Sequence, residues 1–308
     1  MFHESWWLDS VAPGAWAVAE VRNGTDVIAR MPYVAHRKFG LQFISMPPLT
    51  QVLGPIEANS DARYARMLAR QKDTYGELLD QLPRYDLFRQ SFHPEMSNWL
   101  PFYWRRFAQT TRYTYRLALK SSLDELWAGT EDRVRTDVRK AARILTVQES
   151  WDPDRFAAIV AMTFSRQGRR SPVSAELIDR IVKAATSNAR VKTLSAVDSA
   201  GRTHGVALFV GDHRCVYYLV GGADPSLRNS GCHSLLIWKG VQWASEFSET
   251  FDFEGSMLEG VERFVRGFGA RQVQYMQLTA MSRRMAVLWH TYALAHAVAG
   301  RKVSMFST

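Results

Sequence analysis

Thr250–Gln274 reads TFDFEGSMLEGVERFVRGFGARQVQ, and its first side chains alternate apolar and acidic. Period two is the signature of a strand, so Phe251 and Phe253 are expected on a buried face and Asp252 and Glu254 together on the opposite one. Gly255 and Ser256 end that strand. Val261, Phe264, Val265 and Phe268 then recur at helical spacing, predicting a short amphipathic helix over Glu259–Phe268 that Gly269 stops. Two acids at a strand end before a glycine turn are accessible to a ligand, because reacting groups collect on the loops that a rigid sheet holds in place. A sheet with a solvated acidic face has the same pattern.

The segment before it carries three further strands and a long helix. Lys192–Asp198, Thr203–Val210 and Cys215–Val220 form a meander, and Asn229–Phe247 is helical. The loop joining them, Gly221–His233, runs into a helix N-terminus, where unpaired amides and the positive end of the dipole suit a pyrophosphate. With Val273–Thr279 as the last strand, the order is βββαβαβ. The first half repeats it in outline: strands across Ala15–Ser45 with an Asn23-Gly24 hairpin turn, a helix over Asp61–Leu82, then strands at Tyr85–Phe92 and Thr111–Leu119. Two similar domains, 1–119 and 120–308, are therefore expected, the second closed by a helix from Ser282 to Ala299. The segment Met285–Ala299 is too short to span a bilayer and contains His290 and His296, so it reads as a buried helix.

Composition bounds the function. With 308 residues, 46% of them hydrophobic and 12% aromatic, the chain can bury two cores, so disorder is not the expectation. A formal charge of +9 favours an anionic partner: a phosphate-rich donor, RNA, an anionic glycan precursor or a membrane surface. Only Cys215 and Cys232 are present, without a His or Cys at ligand spacing, so neither a disulfide framework nor a metal site is indicated. A reducing cytoplasmic setting fits. Between the domains, Arg135, Arg139 and Arg143 fall at i, i+4 and i+8 as a basic ridge beside an apolar stripe of Val134, Val138, Ala141 and Leu145; it is a solvated face or a phosphate rail. Trp99, Phe102, Tyr103 and Trp104 with Arg105-Arg106 are an aromatic core with a basic rim or a stacking platform.

Arg228 and Gly231 resemble the Arg-x-x-Gly of the pyrophosphate motif in GNAT acyltransferases, although His233 stands where that family has Gly or Ala. Asp252, Gly255, Gly260, Phe264, Phe268 and Gly269 resemble the corresponding stretch of Fem-like transferases, which pair two GNAT-like domains. The resemblance implies an α+β fold of two tandem GNAT-like (acyl-CoA N-acyltransferase-like) domains, each a mixed, mainly antiparallel sheet flanked by helices. It implies an acyl transfer to an amine of a cell-envelope or exopolysaccharide precursor. Acyl-CoA is the expected donor and aminoacyl-tRNA the alternative; a non-catalytic anion- or nucleic-acid-binding protein on the same fold is a third reading. The Arg-x-x-Gly loop and Val265, which occupies the position where the Fem ligases carry Lys, favour acyl-CoA; the doubled domain, the high pI and the basic helix at Arg133–Arg143 favour aminoacyl-tRNA, and no helical arm interrupts the second domain.

Such chemistry needs a held donor, a base and an oxyanion partner. Arg228, Asn229, Ser230, Gly231, Cys232 and His233 are expected at the donor. Asp252 or Glu254 is the expected base and Tyr218, or its neighbour Tyr217, the acid. Arg139, Arg143, Ser256, Arg263 and Arg266 are the expected substrate contacts, with tRNA or an amine-bearing glycan or peptide as partner and peripheral membrane contact compatible with the charge. No metal is required.

Overall fold

The computed structural model describes residues 1–58, 63–166, 168–255 and 257–298. In chain order the elements are α1 (Ser5–Val11), β1 (Trp16–Asn23), β2 (Asp26–Lys38), β3 (Leu41–Ser45), β4 (Ile56–Glu57), α2 (Tyr64–Asp80), β5 (Leu87–Ser91), α3 (Leu100–Trp104) and β6 (Ala108–Ala118). There follow α4 (Leu123–Ala128), α5 (Asp132–Ile144), β7 (Leu145–Gln148), α6 (Pro153–Arg166), α7 (Ala175–Asn188), β8 (Arg190–Asp198), β9 (Thr203–Gly211) and β10 (Val216–Ala223). A 3₁₀ turn (Arg228–Ser230) leads into α8 (Cys232–Ser245), then β11 (Thr250–Asp252), α9 (Glu259–Arg266), β12 (Arg271–Met281) and α10 (Arg283–Val298).

Two compact units result. One comprises Met1, His3–Val11 and Tyr113–Val273; the other comprises Phe2, Ala12–Arg112 and the chain from Gln274 onward. This differs from the expected division at 119/120. α1 packs with the later unit, where Trp7 and Leu8 are fully buried and Arg180 donates to the Ser10 carbonyl. In exchange, β12 returns residues to the earlier unit, since β5 pairs with Gln277–Met281. β6 and β12 thus each pass from one unit to the other.

In the earlier unit β1, β2 and β3 form an antiparallel meander, and the helical crossover through α2 makes β5 parallel to β3. The core is aromatic: Tyr75, Phe88, Phe92, Phe102 and Phe107 pack with Leu78 and Leu278. Phe102 is therefore the core member of the aromatic segment, while Tyr103 and Trp104 are exposed. The later unit repeats this logic. β8, β9 and β10 form the meander, β7 adds to its edge, and the crossover through α8 makes β11 parallel to β10. α8 is apolar on most of its surface and buries Leu235, Leu236, Ile237 and Val241 against Phe209, Val216, Phe251, Phe253, Val265 and Phe268. α10 departs from expectation: none of its described side chains is fully buried, and Val287 and Leu294 are 62% and 67% exposed. An apolar composition on every side gave no pattern from which to read which side would pack.

Candidate active site

The period-two reading of the opening stretch holds for its phenylalanines. Phe251 and Phe253 are buried together, ring centroids 4.8 Å apart. Asp252 is opposite Arg116 in the β6–β11 ladder, so the two side chains share a face. It is fully buried there, Oδ2 accepting from Arg116 Nε at 2.8 Å and Oδ1 accepting from the Thr114 hydroxyl at 2.5 Å. Oδ1 also accepts the Glu254 amide at 2.8 Å. Asp252 is thus fully buried and held by three donors, unlike the partly buried base expected there, which fits a residue that positions the turn.

Glu254 is different. The strand ends at Asp252, and Glu254 has a left-handed φ of 52°, a conformation that costs a non-glycine residue about 1–2 kcal/mol. Its surroundings enforce this: Asp252 holds the Glu254 amide, and Thr114 Oγ1 accepts the Gly255 amide at 3.0 Å. Gly255 is obligatory, since a Cβ there would lie 2.1 Å from the Tyr113 carbonyl oxygen and 2.3 Å from Thr114 Cα. The turn delivers a half-buried carboxyl whose Oε1 is enclosed and has no hydrogen-bond partner among the described residues. Burial first, and the Asp252 charge second, push the Glu254 pKa well above the carboxylate range. Strain, enclosure and an elevated pKa at one carboxyl are properties of a general base.

β10 and β11 pair through only Val216↔Phe251 and Tyr217↔Asp252. Beyond them β10 continues to Ala223 without β11, and a bulge between Tyr218 and Val220 re-aims its side chains. Of the two tyrosines, Tyr217 is buried and Tyr218 faces α8, its hydroxyl 2.8 Å from His233 Nε2. Burial, followed by the charges of Cys232 and Glu254, raises the Tyr218 pKa, so the phenol keeps its proton. Burial, and then Arg166, lower the His233 pKa to about 4, so the ring is neutral. The departure from small residues at His233 thus supplies a hydrogen-bonding partner for Tyr218, with the Phe264 ring 5.3 Å from the imidazole.

The first turn of α8 borders a recess of about 290 Å³ lined by Arg133, Val134, Asp137, Ser234, Gly260, Arg263 and Phe264. Gly231, at φ 76°, starts the helix; a Cβ there would be 2.6 Å from the Asp137 carbonyl oxygen, so α5 is pressed against the turn. Lys140 Nζ donates to the Asn229 carbonyl at 2.6 Å. Two guanidinium groups beside helix amides fit a phosphate-bearing group.

The basic residues are used differently from the expected ridge. Arg135 donates to the carbonyls of Trp127, Ala128 and Thr130, and Arg139 stacks over Trp127 at 5.5 Å. Arg143 is exposed, and Arg266 pairs with Glu262 at 3.1 Å. Of the expected contacts among the described residues only Arg263 lines the recess; Arg133, which lines it too, and Lys140, on the Asn229 carbonyl, lie on the other flank of the same apolar stripe and were not singled out. Thr114 and Arg116 were missed as well, because only the strand register brings them to Asp252. Ser230 is buried, its hydroxyl accepting from the Cys232 amide at 3.4 Å, and Asn229 is exposed. Cys232 is buried with its thiol directed at the His204 carbonyl, and burial raises its pKa, so it is structural. Ser256 and the Arg228 side chain lie outside the described residues.

Residues 130–266 match the family described as acetyltransferase (GNAT) domain. Among solved structures the chain is similar to FemX, with a TM-score of 0.64, 14% identity, and coverage of 90% of this chain and 91% of that one. It is also similar to the C-terminal domain of a putative lysylphosphatidylglycerol synthetase from Agrobacterium fabrum, with a TM-score of 0.57, 12% identity, and coverage of 92% and 91%. A tandem GNAT protein from the clavulanic acid biosynthesis pathway has a TM-score of 0.54, 12% identity, and coverage of 87% and 84%. No curated protein matches the sequence. Residues 130–266 thus match the acetyltransferase (GNAT) domain model, and the chain has the Fem-like tandem GNAT fold.

Proposed function

We propose that this protein transfers an acyl group from acyl-CoA to an amine, with Glu254 as general base. The observation that carries this reading is the enclosed, unpartnered Glu254 Oε1 at the opening between β10 and β11, where the Tyr218–His233 pair also lies. The first turn of α8, with Arg133 and Arg263 on the recess beside it, holds the donor phosphates. Glu254 takes a proton from the amine as its nitrogen bonds to the acyl carbon. Main-chain amides of β10 beyond the β11 pairing steady the oxyanion. As the carbon–sulfur bond breaks, the thiolate takes the Tyr218 phenol proton, while His233 in its Nε2–H form donates to the phenol oxygen; after products leave, Glu254 gives up its proton to solvent and the phenolate regains one, restoring both groups. The acceptor class, a cell-envelope or exopolysaccharide precursor, rests on the Fem-like resemblance.

A second reading, transfer from aminoacyl-tRNA, is favoured by the cations grouped around the same turn: Arg133 and Arg263 on the recess, Lys140 on Asn229, and Arg166 near His233. The two separate by titrating the purified protein with coenzyme A and with charged and bare tRNA at two salt concentrations. Saturable coenzyme A binding that Arg263→Glu weakens supports the first reading. Selective binding of charged tRNA that falls steeply with salt, with no response to coenzyme A, replaces it with the second. Anion binding without transfer from either donor leaves a binding protein.

A further inference from the structure

We propose that the earlier unit carries a phosphate-binding site of its own, formed by Arg89, Arg112 and Thr279 on the sheet face turned away from its aromatic core. Strand register defines that face. Phe88 and Leu278 belong to the core, so Arg89 on β5 and Thr279 on β12, which alternate with them, point to the other side. The two stand opposite each other in the β5–β12 ladder. On its other edge β12 is hydrogen-bonded to β6. There Gln272 Nε2 donates to the Tyr115 hydroxyl at 2.8 Å, so even-numbered residues of β12 share a face with odd-numbered residues of β6. Arg112 therefore falls on the face of Thr279.

This face is polar and yet closed. Ser91, Gln277 and Thr279 are all buried on it, and Gln277 Nε2 donates to Ser91 Oγ at 3.3 Å. The Thr279 hydroxyl, on a residue only 3% exposed, has no hydrogen-bond partner among the described residues. A hydroxyl enclosed in this way is costly to keep unless something binds it. Arg89 is half-buried, and burial first, then the charge of Arg112, lower its pKa. Two guanidinium groups thus stand within electrostatic reach of each other on a desolvated face, an arrangement that repulsion opposes and a bound anion reverses.

Charge and geometry select a phosphate group. Guanidinium forks match phosphate and carboxylate oxygens alike, but a phosphate monoester carries about two negative charges and balances both arginines, whereas a carboxylate leaves one unmatched. Thr279 donates its hydroxyl to a further oxygen. The recess beside α8 uses Arg133 and Arg263 of the later unit, so this site stands independently of the donor proposed above.

The test is calorimetric titration of the full-length protein with inorganic phosphate at constant ionic strength, with acetate as the control anion, in an Arg263→Glu background that weakens the α8 recess. Saturable phosphate binding is expected, with acetate weaker by about tenfold or more. Arg89→Gln and Arg112→Gln should each weaken phosphate by about tenfold or more, the loss of one charged hydrogen-bonding partner. Thr279→Val keeps the side-chain shape and separates binding from folding. Without phosphate its melting temperature should equal or exceed that of the parent, since no bond within the protein is lost, while the rise that saturating phosphate gives the parent should shrink. Absence of saturable phosphate binding would overturn the proposal. So would binding that the Arg89, Arg112 and Thr279 variants all leave unchanged, which places the phosphate elsewhere, or acetate binding as tight as phosphate, which makes this a carboxylate site.

Discussion

Replacing Glu254 by Gln removes the proposed base while keeping the shape of the side chain. Losing a positioned base typically costs about 10²–10⁴ in rate, so kcat should fall in that range with donor affinity little changed. Stability should move the other way. The folded-state pKa lies above the unfolded value, so between the two the folded protein binds the extra proton and stability declines as pH rises through that interval. Gln carries no such penalty. The enclosed Oε1 without a partner is worth about 1–3 kcal/mol of unmet polar burial, and the amide relieves only the part that ionisation adds. The melting temperature of Glu254→Gln relative to wild type should therefore be near zero difference at pH 4 and rise by about 2 °C or more at pH 8. Differential scanning fluorimetry across pH, with steady-state acyl transfer alongside, reads both effects. Melting curves that shift in parallel at every pH, together with a kcat within threefold of wild type, would refute the assignment of Glu254.

Other substitutions separate positioning from chemistry. Asp252→Asn removes one member of a buried ion pair and should destabilise by about 3 kcal/mol in denaturant titration; Arg116→Met, which strands the fully buried Asp252 carboxylate, should cost at least as much, and the double variant should recover part of the loss. Gly255→Ala would drive a Cβ into the Tyr113 and Thr114 backbone, and should lower the unfolding midpoint by the equivalent of about 3 kcal/mol or more and abolish transfer. Tyr218→Phe removes the hydroxyl 2.8 Å from His233 and should lower kcat by about 10²-fold or more with KM for the donor changed little.

Much of the later unit was legible because its local patterns agree with its packing. The stripe Val134, Val138 and Ala141 is buried as its spacing requires, and so are Phe251 and Phe253. What could not be read depends on distant register. Arg116 and Thr114 meet Asp252 across 136 and 138 positions of sequence, so the acid expected on an accessible strand face, as base or as solvated side chain, is instead buried and hydrogen-bonded. The left-handed Glu254 follows from that network and from the space Gly255 leaves, neither of which has a local signature. On α5 the periodicity marked the buried stripe but not which flank faces α8, so Arg139 and Arg143 were expected where Arg133 and Lys140 stand. α10 was read as a buried helix because its apolar stretch is too short to span a bilayer and carries His290 and His296, yet none of its described side chains is fully buried.

Release of free thiol from acyl-CoA measures amine-dependent acyl transfer at Glu254 directly. The protein should release thiol only when an amine acceptor is present, with a rate that rises with pH through the elevated Glu254 pKa and a Glu254→Gln variant slower by about 10²-fold or more. Thiol release equal in wild type and variant, or none from any acyl-CoA with any amine while charged tRNA is consumed, would contradict it.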